Sequence, residues 1–101
     1  MSVVLIVRIK PRAEKQIEAA AAWWSEKRPA APGAIRSDLK AALDALVEQP
    51  GIGALVENSR DPEARRICLA RTRYFLYYRP RGRFLDVVAF WRSSREHGPK
   101  V

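Results

Sequence analysis

Cysteine, histidine and long apolar runs are almost missing from this chain of 101 residues. Cys68 is its single cysteine and His97 its single histidine, so an intrachain disulfide and a metal site built from clustered cysteines are both excluded. The apolar run from Val3 to Val7 is short and meets Arg8 and Lys10 at once, unlike a signal peptide. No stretch approaches the roughly 18 apolar residues of a membrane span. We therefore expect a soluble, cytoplasmic protein.

Acidic residues are in deficit as well. The chain has 19 Lys and Arg against 11 Asp and Glu, which gives a formal net charge of +8. Ten of these basic residues are arginines between Arg60 and Arg95. A surface of this kind attracts polyanions, which include nucleic acid, acidic protein segments and the anionic surfaces of enzymes. The charge alone does not indicate which of these partners the protein binds.

The sequence contains no glycine-rich phosphate loop, no paired-carboxylate site and no metal-ligand spacing. We therefore expect neither a cofactor nor a metal ion. The scattered acids are predicted to be solvated residues of helix faces and turns; they include Asp38, Asp44, Glu48 and Asp86. Cys68, between Ile67 and Leu69, is predicted to be a structural, partly buried thiol.

The first half of the chain predicts one strand and two helices. Val3 to Ile9 is a β-branched run whose near-continuous apolarity predicts a strand covered on both faces. Pro11 suits the first turn of a helix that should run to about Lys27. The apolar face of this helix contains Ala13, Ile17, Ala20, Ala21 and Trp24. A breaker-rich link at 28–33 then predicts an antiparallel helical hairpin. The apolar stripe of the second helix contains Ile35, Leu39, Ala42, Leu43 and Leu46, and the helix is expected to end at Gln49-Pro50-Gly51.

The second half predicts three strands after an irregular connection. Residues 52–63 are expected to form this connection, with room for one short extended piece. The predicted strands are Arg65 to Arg71, Tyr74 to Arg79 and Phe84 to Trp91, with a turn at Thr72 and a hairpin at Arg79 to Arg83. The three tyrosines of the second strand are expected to pack under the helices, although they could instead stack on bases. The order β-α-α-β-β-β indicates an α+β fold in which the helical hairpin packs against a mainly antiparallel sheet.

This order of elements, together with several short motifs, resembles the ParE branch of the RelE/ParE toxin superfamily. The motifs are the Gln-Pro-Gly-Ile-Gly after the second helix, Arg66-Ile67-Cys68-Leu69, the aromatic strand 74–79 and the closing Trp91-Arg92-Ser93-Ser94-Arg95. The resemblance spans nearly the whole chain, which we therefore interpret as a single ParE/RelE-like toxin domain over residues 1–101.

The resemblance implies the toxin half of a type II toxin–antitoxin operon, a class associated with plasmid stabilization. ParE members are directed against DNA gyrase and neutralised by a ParD-like antitoxin, and operator DNA would be contacted only through that antitoxin. RelE members are ribosome-dependent messenger-RNA endonucleases. Because the two branches share a fold, function has to be argued from the site. We expect a gyrase inhibitor that binds protein without catalysis, with the RNA endonuclease as the alternative.

The two functions would use different residues. For docking on gyrase we expect Trp91, Arg92 and Arg95, because two arginines three apart on a helical turn can clamp a carboxylate or phosphate. The endonuclease candidates are Arg66, Arg73, Arg92 and His97, which would supply cations and an acid or base. The chain has no tyrosine beyond Tyr78 and no lysine between positions 40 and 100. Both are departures from the RelE pattern and favour docking.

An antitoxin tail, expected to be acidic and amphipathic, would lie in an apolar groove with basic rims. The candidates for this contact are Trp23, Trp24, Leu39, Leu43, Arg73 and Arg79. Trp23 and Trp24 are adjacent, so a helix cannot bury both on one line. The sequence leaves open which of the two is exposed, and whether both pack inside a small core.

Overall fold

A computed structural model describes residues 4–57 and 59–92 of the chain. The elements are β1 (Ile6–Ile9), α1 (Pro11–Lys27), α2 (Ala34–Leu46), β2 (Ala54–Leu55), β3 (Arg65–Cys68), β4 (Tyr74–Arg81) and β5 (Phe84–Arg92). The two helices pack on a five-stranded, mostly antiparallel sheet, which confirms the predicted α+β class. The short β2 lies inside the predicted irregular connection. Within the described ranges, no helix has both the length and the apolarity that a membrane span requires.

The strands lie side by side in the order β1-β5-β4-β3-β2. β1 pairs with β5 in parallel, and the other neighbours pair antiparallel. The first strand is therefore an edge strand, and the prediction that it is covered on both faces is wrong. Val4 exposes 54% of its surface and Ile6 exposes 51%. A continuous apolar run does not distinguish a central strand from an edge strand, because the pattern carries no information about neighbours.

Both helices begin or end near their predicted boundaries. α1 begins at Pro11, where the missing N–H leaves no unpaired donor, and it ends at Lys27 as predicted. α2 ends at Leu46, shortly before the predicted stop. The buried residues of the two helices include Ala13, Ile17, Ala20, Ile35, Leu39 and Leu46. They pack against one face of the sheet, on Leu76, Tyr78, Leu85, Val87 and Phe90.

The turn between β3 and β4 is tied to α2 by Asp38. Its Oδ2 accepts hydrogen bonds from the backbone N–H groups of Arg71, at 3.2 Å, and Thr72, at 2.8 Å. The same oxygen accepts the Thr72 hydroxyl at 2.8 Å. Asp38 is therefore a structural anchor, which corrects its interpretation as a solvated residue of a helix face. Arg73 closes the turn with φ at +64°, a left-handed conformation that costs a non-glycine residue free energy.

β4 and β5 form a hairpin at the predicted place. Arg81 pairs with Phe84, so the turn contains two residues, and the first of them, Gly82, has φ at +59°, as such turns require. Further along, the register passes from Tyr78 with Val87 to Tyr77 with Ala89. Val88 is thus an extra residue, and β5 has a bulge there.

Candidate functional site

A cavity of about 250 Å³ lies between α1 and the start of β4 and the end of β5, which are adjacent in the hairpin. Its lining residues are Gln16, Ala19, Ala20, Trp23, Tyr74, Phe90, Trp91 and Arg92. We call this cavity the aromatic groove. The Gln16 side chain accepts the backbone N–H of Phe90 at 2.8 Å through Oε1, which fixes α1 against β5. The groove is therefore a concave apolar surface with a cation at one end.

Trp23 lies at the surface, whereas Trp24 packs against the core. Trp23 exposes 38% of its surface and forms part of the wall of the aromatic groove. Trp24 is half-buried and packs against the core. The guanidinium carbon of Arg92 lies 5.0 Å from the centroid of the Trp23 ring, within the range of a cation–π interaction. Trp23 is thus the exposed tryptophan of the pair, which the sequence had left open.

The structure brings together residues that the sequence had assigned to two partners. Trp91 and Arg92, predicted for the target, line the aromatic groove beside Trp23, predicted for the antitoxin. Phe75 pairs with Trp91 across β4 and β5. Arg95 and His97 lie outside the described residues. The aromatic groove therefore contains both described candidates for target binding and one candidate for antitoxin binding, Trp23.

The remaining candidates for antitoxin binding do not join this surface. Leu39 belongs to the core with 6% of its surface exposed, and Leu43 is partly buried against the same core. Arg73 lies in the turn before β4. Arg79 lies on the helix-free face of the sheet, beside Asp86. The four residues thus occupy separate places, and two of them offer little surface to a partner.

A buried ion pair lies on the helix-free face, and sequence reasoning missed it. Asp86 is fully buried, and Arg8 binds both of its oxygens, Nε to Oδ1 at 2.7 Å and Nη2 to Oδ2 at 3.1 Å. These hydrogen bonds hold the pKa of Asp86 below its ordinary value. The prediction of a solvated Asp86 is wrong, because Arg8 of β1 lies directly opposite it in the parallel register. The sequence did contain a signal for this pair: in Leu85-Asp86-Val87 an acid lies between two apolar residues of a strand, and a buried acid requires a partner.

Arg79 extends this network to the loop before β3. Its Nη1 lies 2.8 Å from Oδ2 of Asp61 and its Nε 3.5 Å from Oδ2 of Asp86. Arg81 lies 3.8 Å from the same oxygen of Asp61. The hydrogen bond from Arg79 lowers the pKa of Asp61, and the same bond raises the pKa of Arg79. Charges of both signs therefore alternate across β1, β5, β4 and the loop.

The candidates for RNA cleavage do not converge among the described residues. Arg66 lies over the ring of Phe75 at 4.3 Å, on the helix-free face. Arg92 faces α1 on the other side of the sheet, over Trp23. Cys68 is exposed rather than partly buried as predicted, since β3 turns its side chain to the helix-free face. The described part of the chain also contains no group of three His, Cys, Asp or Glu residues that could hold a metal ion.

The three tyrosines of β4 are buried; Tyr74 and Tyr78 pack under the helices as predicted, whereas the same prediction is wrong for Tyr77. Tyr74 exposes 5% of its surface and stacks on Phe90, with the ring centroids 4.9 Å apart. Tyr78 is fully buried in the core. Tyr77 is also buried and meets Phe75 edge-on, on the face away from the helices. Rings buried in this way are not available as a platform for bases.

Comparison with known proteins identifies the family. A family model of the ParE toxin of the type II toxin–antitoxin system parDE matches residues 7–97. No curated protein matches the sequence. A solved structure from the chromosomal ParDE toxin–antitoxin system of P. aeruginosa has the same fold, with a TM-score of 0.70 at 18% identity over 90% of this chain and 98% of that one. Since the family model spans most of the chain, the protein belongs to the ParE toxin family of type II toxin–antitoxin systems, within the RelE/ParE superfamily.

Proposed function

We propose that this protein inhibits DNA gyrase by docking on it through the aromatic groove, and that a ParD-like antitoxin neutralises it. Membership of the ParE family supports the role in a toxin–antitoxin module. The observation that carries the docking mechanism is Arg92 held over the exposed ring of Trp23 at the rim of a concave apolar surface. Tryptophan and arginine are the side chains that most often dominate the binding energy of protein interfaces.

The groove supplies the two components that such an interface needs. The exposed ring of Trp23 offers apolar area with little conformational entropy to lose, and the buried rings of Tyr74 and Phe90 support it from beneath. Arg92, with Arg95 as its proposed companion, offers charge-assisted hydrogen bonds to carboxylates of the target. The formal net charge of +8 speeds the encounter with an acidic surface. Inhibition then requires occupation of a surface on gyrase and no chemical step.

Neutralisation follows from the same surface. An acidic, amphipathic segment of the antitoxin would place apolar side chains in the aromatic groove and carboxylates near Arg92. Trp23 would then contact the antitoxin in one complex and gyrase in the other, so that the two partners compete. Trp24 would support Trp23 from the core, while Arg73 and Arg79 would contact more distant parts of the same antitoxin.

The test is a pair of assays with purified protein, one of gyrase supercoiling and one of translating ribosomes. Arg92→Ala is expected to raise the concentration needed to inhibit supercoiling by at least about tenfold, the loss expected for one interfacial arginine. Arg83→Ala is the matched control. It removes the same charge from an exposed residue in the hairpin turn before β5. Equal loss of inhibition in both variants would show a general effect of charge.

The ribosome assay tests the alternative that the protein is an RNA endonuclease. Intact message together with inhibited gyrase supports docking. Cleaved message with unaffected supercoiling would contradict the proposal, and Arg66→Ala would then be the variant to examine for loss of cleavage.

A further inference from the structure

The outer edge of β5 has a neighbouring strand over only part of its length. Its parallel partner β1 pairs as far as Ile9 with Val87. Lys10 then donates its backbone N–H to the carbonyl oxygen of Val87 at 3.0 Å, and the chain turns into α1. Among the described residues, no strand lies beside this edge of β5 beyond that point. The last part of β5 is therefore an open edge, and the aromatic groove lies next to it.

The bulge in β5 determines which backbone groups this open edge presents. Because Val88 is an extra residue, it changes which of the following residues face away from β4. Phe90 does so, since its backbone N–H leaves the sheet and donates to the side chain of Gln16 at 2.8 Å. Successive residues of a strand turn their backbone groups to opposite sides, so Arg92 faces outward as well. No described residue is bonded to the carbonyl oxygen of Phe90 or to the backbone N–H of Arg92.

Gln16 adds a further donor to this edge. Its Oε1 accepts the N–H of Phe90, so the two N–H groups of the same amide are directed away from Phe90. Within the ranges that the structure describes, no residue accepts from this amide nitrogen. Gln16 also lines the aromatic groove. The outward N–H of Phe90 is thus replaced, one side chain further out, by donors that a partner can reach.

We propose that the aromatic groove binds an acidic, extended segment of a partner protein, which adds to the open edge of β5 as an antiparallel strand. The inference rests on the proposed function, because it describes how a partner enters the docking surface. The backbone of the segment would bond to the carbonyl oxygen of Phe90, the N–H of Arg92 and the amide of Gln16. Strand addition to an open sheet edge is a common mode of peptide recognition, and antiparallel pairing is slightly more stable than parallel pairing.

The groove also selects the side chains of the segment. Phe90 packs in the core beneath the helices, and Arg92 lies over Trp23 of α1, so both side chains are on the helix side of the sheet. Two side chains of the segment, two positions apart, would lie beside them. An apolar side chain opposite Phe90 would enter the cavity, where Ala19 and Ala20 leave room. A carboxylate opposite Arg92 would meet its guanidinium group.

The expected pattern, from the N-terminus of the segment, is therefore an acid, any residue and an apolar residue. Charge complementarity supports this occupant, because the chain has a formal net charge of +8. The same charge disfavours a second copy of the chain in the groove, since like charges across an interface repel.

The first experiment measures the binding of synthetic peptides to the full chain by calorimetry, with amide chemical shifts to locate them. The probe is a terminally blocked heptapeptide of serine and threonine that contains a glutamate and, two positions later, a leucine. A second peptide has the same composition with glutamate and leucine adjacent. The first should bind saturably, with shifts concentrated at Gln16, Phe90 and Arg92. The second should bind at least about tenfold more weakly, because adjacent side chains of a strand point to opposite faces. Equal affinities, shifts elsewhere or no saturable binding would overturn the proposal.

Methylation of the peptide backbone tests the strand itself. In the antiparallel arrangement the N–H of the leucine faces β5, whereas the N–H of the residue between glutamate and leucine faces away. N-methylation of the leucine should weaken binding by at least about tenfold, the effect of losing one hydrogen bond together with the added bulk. N-methylation of the intervening residue should have little effect. Equal effects of the two methyl groups would contradict strand addition.

Two variants of the protein test the role of Gln16. Gln16→Glu keeps an acceptor for the N–H of Phe90 but removes the donor, and it should weaken peptide binding by about tenfold. Ala22→Glu adds the same charge at an exposed residue of α1 outside the groove, and it should bind almost like the parent. The thermal midpoint of each variant shows that it is folded. Equal losses in both variants would overturn the role of Gln16.

The supercoiling assay separates this inference from the proposed function. A protein that inhibits gyrase but shows none of these peptide preferences refutes strand addition and leaves docking on gyrase intact. A protein that shows the peptide preferences without inhibiting gyrase supports strand addition and refutes gyrase as the target.

Discussion

The hydroxyl oxygen of Tyr78 accepts the backbone N–H of Gly53 at 2.9 Å. The same hydroxyl donates to the carbonyl oxygen of Pro50 at 2.8 Å. One fully buried phenol thus ties the loop after α2 to the centre of β4. Burial raises the pKa of Tyr78, so the hydroxyl keeps its proton and continues to donate at any physiological pH.

Tyr78→Phe should lower the free energy of unfolding by about 1 to 3 kcal/mol, because a buried donor and a buried acceptor would both lose their partner. Chemical denaturation monitored by circular dichroism measures the change. The fold should be retained, since the ring still fills its place in the core. A variant as stable as the parent would show that water or a shifted loop satisfies both backbone groups.

Gly53 and Gly51 form a matched pair for a second prediction. A Cβ at Gly53 would lie 2.8 Å from the backbone oxygen of Arg66 and closer still to the Tyr78 hydroxyl, whereas a Cβ at Gly51 would meet nothing within 4 Å. Gly53→Ala should therefore destabilise by about 1 to 3 kcal/mol through overpacking, while Gly51→Ala should have little effect. Thermal denaturation of the two variants side by side gives the comparison. Equal midpoints would contradict the close approach at Gly53.

The pair between Asp86 and Arg8 predicts a dependence of stability on pH. Because the folded state lowers the pKa of Asp86, its contribution is fully present above the unfolded value of about 3.9 and is lost as the pH falls through the folded value. Asp86→Asn should cost about 2 to 3 kcal/mol at neutral pH, less than the roughly 3 to 5 kcal/mol of a fully buried pair that loses one partner, since the Arg8 side chain is 43% exposed.

The measurement is the free energy of unfolding of parent and Asp86→Asn between pH 7 and pH 3. The difference between the two proteins should shrink below about pH 4, near the ordinary carboxyl pKa. Asp44→Asn is the control, since its ion pair with Lys40 is exposed and should contribute less than about 0.5 kcal/mol. A constant difference across the whole range would show that the charge of Asp86 is not what stabilises the fold.

Asp38→Ala should destabilise the protein by about 1 to 2 kcal/mol, because it leaves two backbone N–H groups and one hydroxyl of the turn before β4 without their acceptor. Asp44→Ala, on the same helix, should change stability by less than about 0.5 kcal/mol. Amide hydrogen exchange at Thr72 supplies a local readout, and it should accelerate only in the Asp38 variant. Unchanged exchange there would remove Asp38 as the anchor of the turn.

Local patterns were enough to predict much of this fold. Pro11 marks the start of α1, the spacing of Ile35, Leu39 and Leu46 marks the buried face of α2, and Gly82 marks the hairpin. Each of these signals lies within a few neighbouring residues. The residues that form the pattern are therefore the same residues that cause the local structure. The adjacency of Trp23 and Trp24 predicted that they cannot share one buried line, but it left open which of them is exposed and whether both pack inside the core.

Distant contacts escaped the same reasoning. Asp86 pairs with Arg8, from which it is separated by 78 positions in the sequence, and Asp38 binds Thr72 across 34 positions. No local pattern therefore identifies either acid as structural. The edge position of β1 depends on strand order, which hydrophobicity does not encode. The aromatic groove combines Gln16 and Trp23 of α1 with the end of β5, and only the folded chain brings these residues together.

The parallel pairing of Ile6 with Phe84 also has a consequence for synthesis. Among the described strands β1 leaves the ribosome first, yet its neighbour in the sheet is β5, the last of them. The sheet, and the groove that α1 forms against it, can therefore be completed only after β5 has been translated. The chain between β1 and β5 must then close into a long loop before the two strands can pair. The groove proposed for docking is therefore absent from any nascent chain that lacks β5.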